Sequence, residues 1–290
     1  MRSLIVLSDG FRSGVPALLL LLSLGWPLTA AASADALIDE LRAASAPDLV
    51  DVYLQACRRF SQVPAADRAR LGDVLEPVAR RLFRQADRLP GDEACGIIAH
   101  RVASGETPSA ILRRYAIGNG WLQVLNPTYD DRRLGAGQRL KVVDRSVGRG
   151  LTVVVSRRLY RCFVFAWHPS SEINLLLACL PVGIGTADRQ TPMGRTQVTT
   201  MVRDPTWTHP DTKEVIPPDD PRNVLGGYWI GLDPGPDETF ASIGFHGYTG
   251  APVADWLERG GSRGCLRLRQ QDIGDLFALV ERGTVVRVVE

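Results

Sequence analysis

Along the chain the apolar positions change period twice, and the changes divide it. Leu49, Val50, Tyr53, Leu54 and Cys57 fall on one stripe at helical spacing. Asp73 followed by Glu76 resembles a capping box, predicting a helix that opens there, with Val74, Leu75, Val78, Leu82 and Phe83 on one side and Pro77 in its first turn. Leu89-Pro90-Gly91-Asp92 ends this stretch. Residues 35–95 therefore read as a helical region whose expected role is packing or spacing. Residues 96–145 switch to a compact unit. His100-Arg101-Val102 alternates like a short strand, and Gly105-Glu106-Thr107-Pro108 turns into a helix containing Ile111, Leu112 and Tyr115. A second helix, 121–125, stops at Asn126-Pro127, and a glycine turn leads into a strand over 139–143, giving the order βααβ. From about residue 150 to 290 the period is two. Strands are expected at 151–155, 159–167, 173–181, 196–202, 228–232, 243–246 and 284–289, with one helix over 271–281. The fold class is multidomain α+β, with a helical N-terminal region, a small βααβ module and a mainly antiparallel β domain.

The first residues read differently. Arg2 and Arg12 precede the apolar run Val15 to Trp26, and Ala32-Ser33-Ala34 has the small-x-small pattern of a signal-peptidase cut. Residues 1–34 are expected to be a signal peptide, since the run falls short of the roughly 20 apolar residues of a membrane span. The mature chain would be secreted or periplasmic, with no stable membrane anchor. Composition fits globular domains, at 45% hydrophobic and 23% charged residues. The net charge of +2, without a basic block interleaved with aromatics, speaks against a nucleic-acid partner.

Export changes how cysteines count, because thiols outside the cytoplasm tend to pair. There are five: Cys57, Cys95, Cys162, Cys179 and Cys265. A hairpin turning at His168-Pro169-Ser170-Ser171 would set Cys162 directly opposite Cys179. Cys57 and Cys95 would form a second pair, stapling the helical region to the rest of the chain. The alternative is that all four are buried thiols. Either way Cys265 is left over, which in a secreted chain calls for an explanation.

Cys265 lies in Ser262-Arg263-Gly264-Cys265-Leu266-Arg267, downstream of His246-Gly247 and a glycine-rich passage. A thiol attacks as thiolate, so it needs a neighbouring base or cation, and a histidine can take its proton and later hand it to a leaving amine. Glycines beside it let the Gly264 and Cys265 amides approach a developing oxyanion. A lone cysteine is more simply a buried residue, and so is a lone histidine; together they read as nucleophile and base. His100, His168 and His209 have no comparable setting. No ligand set at metal spacing is present, so neither metal nor cofactor is expected.

Two stretches resemble known families. The segment HRVASGETPSAILRRYAIGNGWLQVLNPTYDDRRLGAGQRLKVV resembles a LysM module, a binder of N-acetylglucosamine-containing glycans. That resemblance implies a glycan site at Gly105, Glu106, Thr107 and Pro108, facing Asn126, Pro127, Thr128 and Tyr129. Pro108 stands where the family usually has leucine. Residues 150–290 resemble the YkuD-type (ErfK/YbiS) L,D-transpeptidase domain through HG at 246–247 and SRGCLR at 262–267. Upstream, PVGIGTADRQTPMG ending at Gly194, DPTWTHP at 204–210 and NVLGGYWIGL at 223–232 match in order. The resemblance implies a peptidoglycan enzyme that forms a thioester at Cys265 and releases D-Ala from a tetrapeptide stem. His246 is then base and acid, the Gly247 carbonyl orients its ring, and the Gly264 and Cys265 amides hold the oxyanion. Ser262, Arg263 and Arg267 shape the loop or the substrate pocket. Many members carry a second histidine where this chain has Arg263. Transfer to an amine, hydrolysis of the same thioester, and a non-catalytic wall-binding role remain as alternatives.

Overall fold

The computed structural model describes residues 33–250 and 252–290. The signal-peptide reading therefore lies outside the described residues, apart from Ser33 and Ala34, which open the first helix. No helix among the described residues is long and apolar enough to cross a membrane.

The helical region holds α1 (Ala34–Ala43), α2 (Leu49–Arg59) and α3 (Arg68–Phe83). Helix α3 begins five residues before the predicted start, so Pro77 sits inside it rather than in its first turn. Asp73 and Glu76 cap nothing; both carboxylates reach across the fold, Asp73 to Arg161 at 2.8 Å and Glu76 to the Cys179 N–H at 2.7 Å. Next comes the small module: β1 (Ile97–Arg101), α4 (Pro108–Tyr115), α5 (Asn119–Leu125) and β2 (Arg139–Val143), with β1 and β2 paired antiparallel. Thr107 caps α4 by accepting the Ala110 N–H, and Pro108 occupies the first helical position, where a missing N–H costs nothing. Lys141 of β2 is buried, and its Nζ donates to the carbonyls of Arg81 (2.6 Å), Gln85 (3.0 Å) and Asp87, binding the module to the end of α3.

A short α6 (Arg145–Arg149) leads into β3 (Leu151–Ser156), β4 (Arg161–His168), β5 (Ile173–Pro181), β6 (Ile184–Gly185) and β7 (Gly194–Arg203). Then follow β8 (Trp207–Thr208), β9 (Val215–Ile216), β10 (Tyr228–Leu232), β11 (Gly244–Gly247), β12 (Gly260–Ser262), β13 (Leu266–Leu268), α7 (Gln270–Leu279) and β14 (Val285–Val289). Eight strands make one sheet in the order β13-β11-β10-β7-β14-β3-β4-β5. It is mainly antiparallel, as expected, with two parallel pairings, β11 with β13 and β14 with β3.

The expected hairpin is present, but the pairing of its cysteines is not. Near the turn the register is the predicted one, with Phe165 opposite Leu176. A bulge between Val164 and Phe165 then slips it by one, so Cys162 faces Leu180 and Cys179 faces Phe163. One residue of slip moves a side chain to the other face of the sheet. Cys179 accordingly points at α3, where its Sγ lies 2.7 Å from where a Cβ on Gly72 would stand, and Cys162 points away. All five cysteines are free thiols, Cys57 and Cys95 included; the four outside the nucleophile loop are buried.

Candidate active site

The parallel pairing of β11 with β13 assembles the site. Phe245 lies beside Leu266 and His246 beside Arg267. Cys265 directly precedes β13, so continuing the register sets it beside Gly244. Alternate residues share a face, which puts Cys265, Arg267 and His246 on one side. His246 is then the diagonal cross-strand neighbour of Cys265, a separation that an aromatic side chain spans. Trp229 of β10 pairs with His246 from the other flank, and its ring stacks on the imidazole at 6.0 Å.

The turn bearing Cys265 is tied down from inside. Ser262 Oγ donates to the Cys265 carbonyl at 2.6 Å and accepts the Gly264 N–H at 3.1 Å. Thr191 Oγ1 donates to the Gly264 carbonyl at 2.8 Å and accepts the Gly185 N–H at 3.0 Å. Gly264 has φ +113, and a Cβ there would stand 2.8 Å from the Ile243 side chain, so glycine is required. Because the Gly264 amide is engaged by Ser262, it is not the free oxyanion donor that the sequence suggested. The Cys265 N–H is the other donor the sequence named on this turn.

His246 is buried at 5% exposure. Nδ1 bonds to the Gly247 carbonyl, an arrangement that leaves Nε2 as the basic nitrogen. Burial lowers the imidazole pKa to about 4, the Gly247 carbonyl opposes that shift and the Arg267 charge adds to it. Burial likewise raises the Cys265 thiol, against the Gly244 backbone hydrogen bond and Arg267, which lower it. The thiol donates to the Ser242 carbonyl at 3.5 Å. Near neutral pH the pair therefore rests as neutral thiol and neutral imidazole, not as the ionised couple expected from the sequence. Gly247 is itself packed, since a Cβ there would meet the Gln270 amide at 2.7 Å.

Arg267 is partly buried, with its guanidinium 4.0 Å above the Tyr248 ring and its Nε buried without a partner. Arg263 is exposed and grips Asp211 with both terminal nitrogens, Nη1 at 2.7 Å. Beside it opens a polar cavity of about 290 Å³ lined by Thr186, Asp188, Arg189, Gly261, Ser262 and Arg263. Among the described residues no group of three or more His, Cys, Asp or Glu is placed to hold a metal ion.

Of the eight residues assigned to glycan binding, three are engaged through their side chains: Thr107 as the cap of α4, Glu106 and Asn126. Glu106 accepts from the Ala103 N–H at 2.9 Å and pairs with His100 Nε2 at 2.9 Å, while His100 Nδ1 meets the Tyr115 hydroxyl at 3.0 Å. Asn126 is buried and spans Leu122 and Lys141 through three backbone hydrogen bonds. Gly105, Pro127 and Thr128 are exposed, and Tyr129 is partly buried with its hydroxyl unpartnered. Thr191, Trp229, Ser242, Tyr248 and Asp211 were not singled out by sequence. Thr191 stands in the stretch before Gly194 that the resemblance had marked, and Asp211 directly follows the 204–210 stretch.

Comparison with known proteins bears on residues 152–288, which match the family model of the YkuD L,D-transpeptidase catalytic domain. A curated relative, the probable L,D-transpeptidase ErfK/SrfK of Escherichia coli (strain K12), is 34% identical over 164 residues, covering 51% of this chain and 46% of the relative. The chain thus spans less than half the length of that relative. Among solved structures, an L,D-transpeptidase from Mycobacterium smegmatis matches with TM-score 0.37 and 12% identity, over 53% of this chain and 64% of that one. An L,D-transpeptidase of Enterococcus faecium matches with TM-score 0.35 and 20% identity, over 51% and 52%.

Proposed function

We propose that this chain, whose residues 152–288 form a catalytic domain of the L,D-transpeptidase type, is a peptidoglycan L,D-transpeptidase acting through a thioester at Cys265. The observation that carries the reading is the parallel β11–β13 register, which sets His246 and Cys265 on one face beside a turn held by Ser262 and Thr191. Cys265 Sγ attacks the carbonyl between the third and fourth residues of a tetrapeptide stem and gives its proton to His246 Nε2. The oxyanion takes the Cys265 N–H. As the C–N bond breaks, the imidazolium returns that proton to the departing D-Ala amine. An acceptor amine then attacks the thioester, loses a proton to Nε2, and the thiol is re-formed as the new amide forms.

A neutral resting pair suits general-base attack. The imidazole has an open lone pair, and the proton moves only as the C–S bond forms. The βααβ order of residues 96–145 supports a LysM-type glycan contact, with Gly105, Pro127, Thr128 and Tyr129 the residues left available for it. Export to the periplasm or cell wall follows from the same substrate. The test is intact mass after incubation with a tetrapeptide-bearing muropeptide. Loss of one D-Ala with an adduct mapped to Cys265, and cross-linked dimers, are expected. Tripeptide without dimers would make the protein a hydrolase, and no adduct on folded, reduced protein would remove the enzymatic reading.

A further inference from the structure

The nucleophile turn presents a guanidinium to the polar cavity beside it. Arg263 is two residues from Cys265 and lines that cavity together with Arg189. Its fork is occupied by Asp211, which sits between the short strands β8 and β9. Those strands pair with each other and not with the main sheet. The base of this hairpin is anchored, since the buried Asn223 amide donates to the carbonyls of Pro205 and Pro217 at 2.9 and 3.1 Å. Its tip meets the nucleophile turn through the Arg263–Asp211 pair.

Both partners are exposed, Arg263 at 46% and Asp211 at 60%. An ion pair so placed is weak and exchangeable, whereas the geometry it displays, a guanidinium gripping one carboxylate through two parallel hydrogen bonds, is specific. Arg189 is exposed, and the ion pair it makes among the described residues, to Asp188, spans 4.0 Å. Two cations and one carboxylate, Asp188, thus line a cavity that begins at the nucleophile turn.

We propose that Arg263, seconded by Arg189, selects donor stems whose third residue, the one bearing the scissile carbonyl, carries a free carboxylate on its side chain, and that Asp211 is the internal carboxylate holding this place until the substrate displaces it. This rests on the transpeptidase reading and adds a specificity-determining residue to it. Asp211 competes with the substrate, so its removal favours binding; Arg263 discriminates, so its removal abolishes preference.

The experiment uses the full chain and two tetrapeptide donors that differ only in having a carboxylate or a carboxamide on the third residue's side chain, with D-Ala release as the readout. Wild type is expected to prefer the carboxylate donor by about tenfold in kcat/KM, a typical return for one charge-assisted bidentate contact. In R263Q that ratio falls to near one. In R263K, which keeps charge but loses the fork, it is intermediate. In D211N the preference persists and KM for the carboxylate donor falls. Alkylation by neutral iodoacetamide confined to Cys265, with the four buried thiols protected, reports that each variant is folded. A ratio near one in wild type, or an unchanged ratio in R263Q, would overturn the assignment while leaving the transpeptidase reading in place. Turnover of neither donor by wild type would overturn both.

Discussion

His246 is kept neutral by burial, and that has a stability signature. Its folded pKa is about 4 against an ordinary 6.5. Between these values the unfolded chain takes up a proton that the folded chain refuses. Stability is therefore full above the unfolded pKa and is lost as pH falls toward the folded one, with no further loss below it. Taking the sample from pH 7 to 4.5 protonates nearly all of the unfolded imidazole and a minority of the folded one, which costs about 2.5 kcal/mol. The group is 5% exposed, so solvent screening removes little of this. The assay is urea unfolding followed by tryptophan fluorescence, of which the chain has six sources, at both pH values, for wild type and His246→Gln. Each protein's own pH difference is read, so carboxylates common to both cancel, as does any direct cost of the substitution. Wild type should lose about 2.5 kcal/mol more on acidification than the variant. Equal losses would refute the reasoning, because the imidazole would then be as easily protonated folded as unfolded.

The same environment governs the thiol. With Cys265 raised by burial, its alkylation by iodoacetamide should still be climbing at alkaline pH, and a plateau beginning near pH 6 would reveal a preformed thiolate instead. Cys265→Ala should abolish D-Ala release while leaving the melting temperature close to that of wild type; residual release above about a thousandth of wild type would point to another nucleophile. Arg84, whose side chain is fully buried, pairs with Glu76 and, at 3.1 Å, with Asp275. Arg84→Ala leaves Glu76 and Asp275 with Arg80 as their remaining cation and should cost about 2 kcal/mol in thermal or urea unfolding; a loss below roughly 1 kcal/mol would show that Arg80 and water replace the guanidinium. Thr191→Val removes the hydroxyl joining the Gly264 carbonyl to the Gly185 amide and should slow acylation about tenfold by loosening the turn, with Thr191→Ser restoring most of the rate.

Elements with a clear period are legible in the residues themselves. The stripe of α2 and the turn into α4 fall where spacing puts them, because each helix buries one face, and strands β10 and β11 lie within a residue of their expected spans. The β4–β5 register is not legible in this way. Strand β5 is buried at nearly every position, so its sequence lacks alternation, and either register satisfies it. Nothing local marks the bulge that parts Cys162 from Cys179. Asp73 and Glu76 mislead for a related reason. Their spacing mimics a capping box, whereas their partners lie 88 and 103 residues away. In the site, Cys265 and His246 announce themselves by residue type and neighbouring glycines. Thr191 and Asp211 act on a turn 73 and 52 residues distant, and only folding makes those separations short. The protonation state is likewise a property of the fold, since burial rather than residue identity sets it.

Residues 35–95 read as packing or spacer in the sequence, and the structure shows packing, with α2 and α3 bonded to strand β5. Strand β5 is the edge of the main sheet, and an uncovered edge leaves backbone groups unpaired. Tyr53 of α2 donates its hydroxyl to the Leu176 carbonyl at 2.6 Å, and Glu76 of α3 accepts the Cys179 N–H at 2.7 Å. Both side chains are held in place by burial or by ion pairs, so the helices close the edge in the way a ninth strand would. Glu76 continues through Arg84 to Asp275 on α7. At the other end of that helix, Gln270 packs against Gly247, whose carbonyl fixes the imidazole. A continuous line of packed groups thus runs from the N-terminal helices to the ring of His246. The helical region is on this account part of the catalytic fold, because the sheet that aligns β11 with β13 is completed by it on one side and supported through α7 on the other.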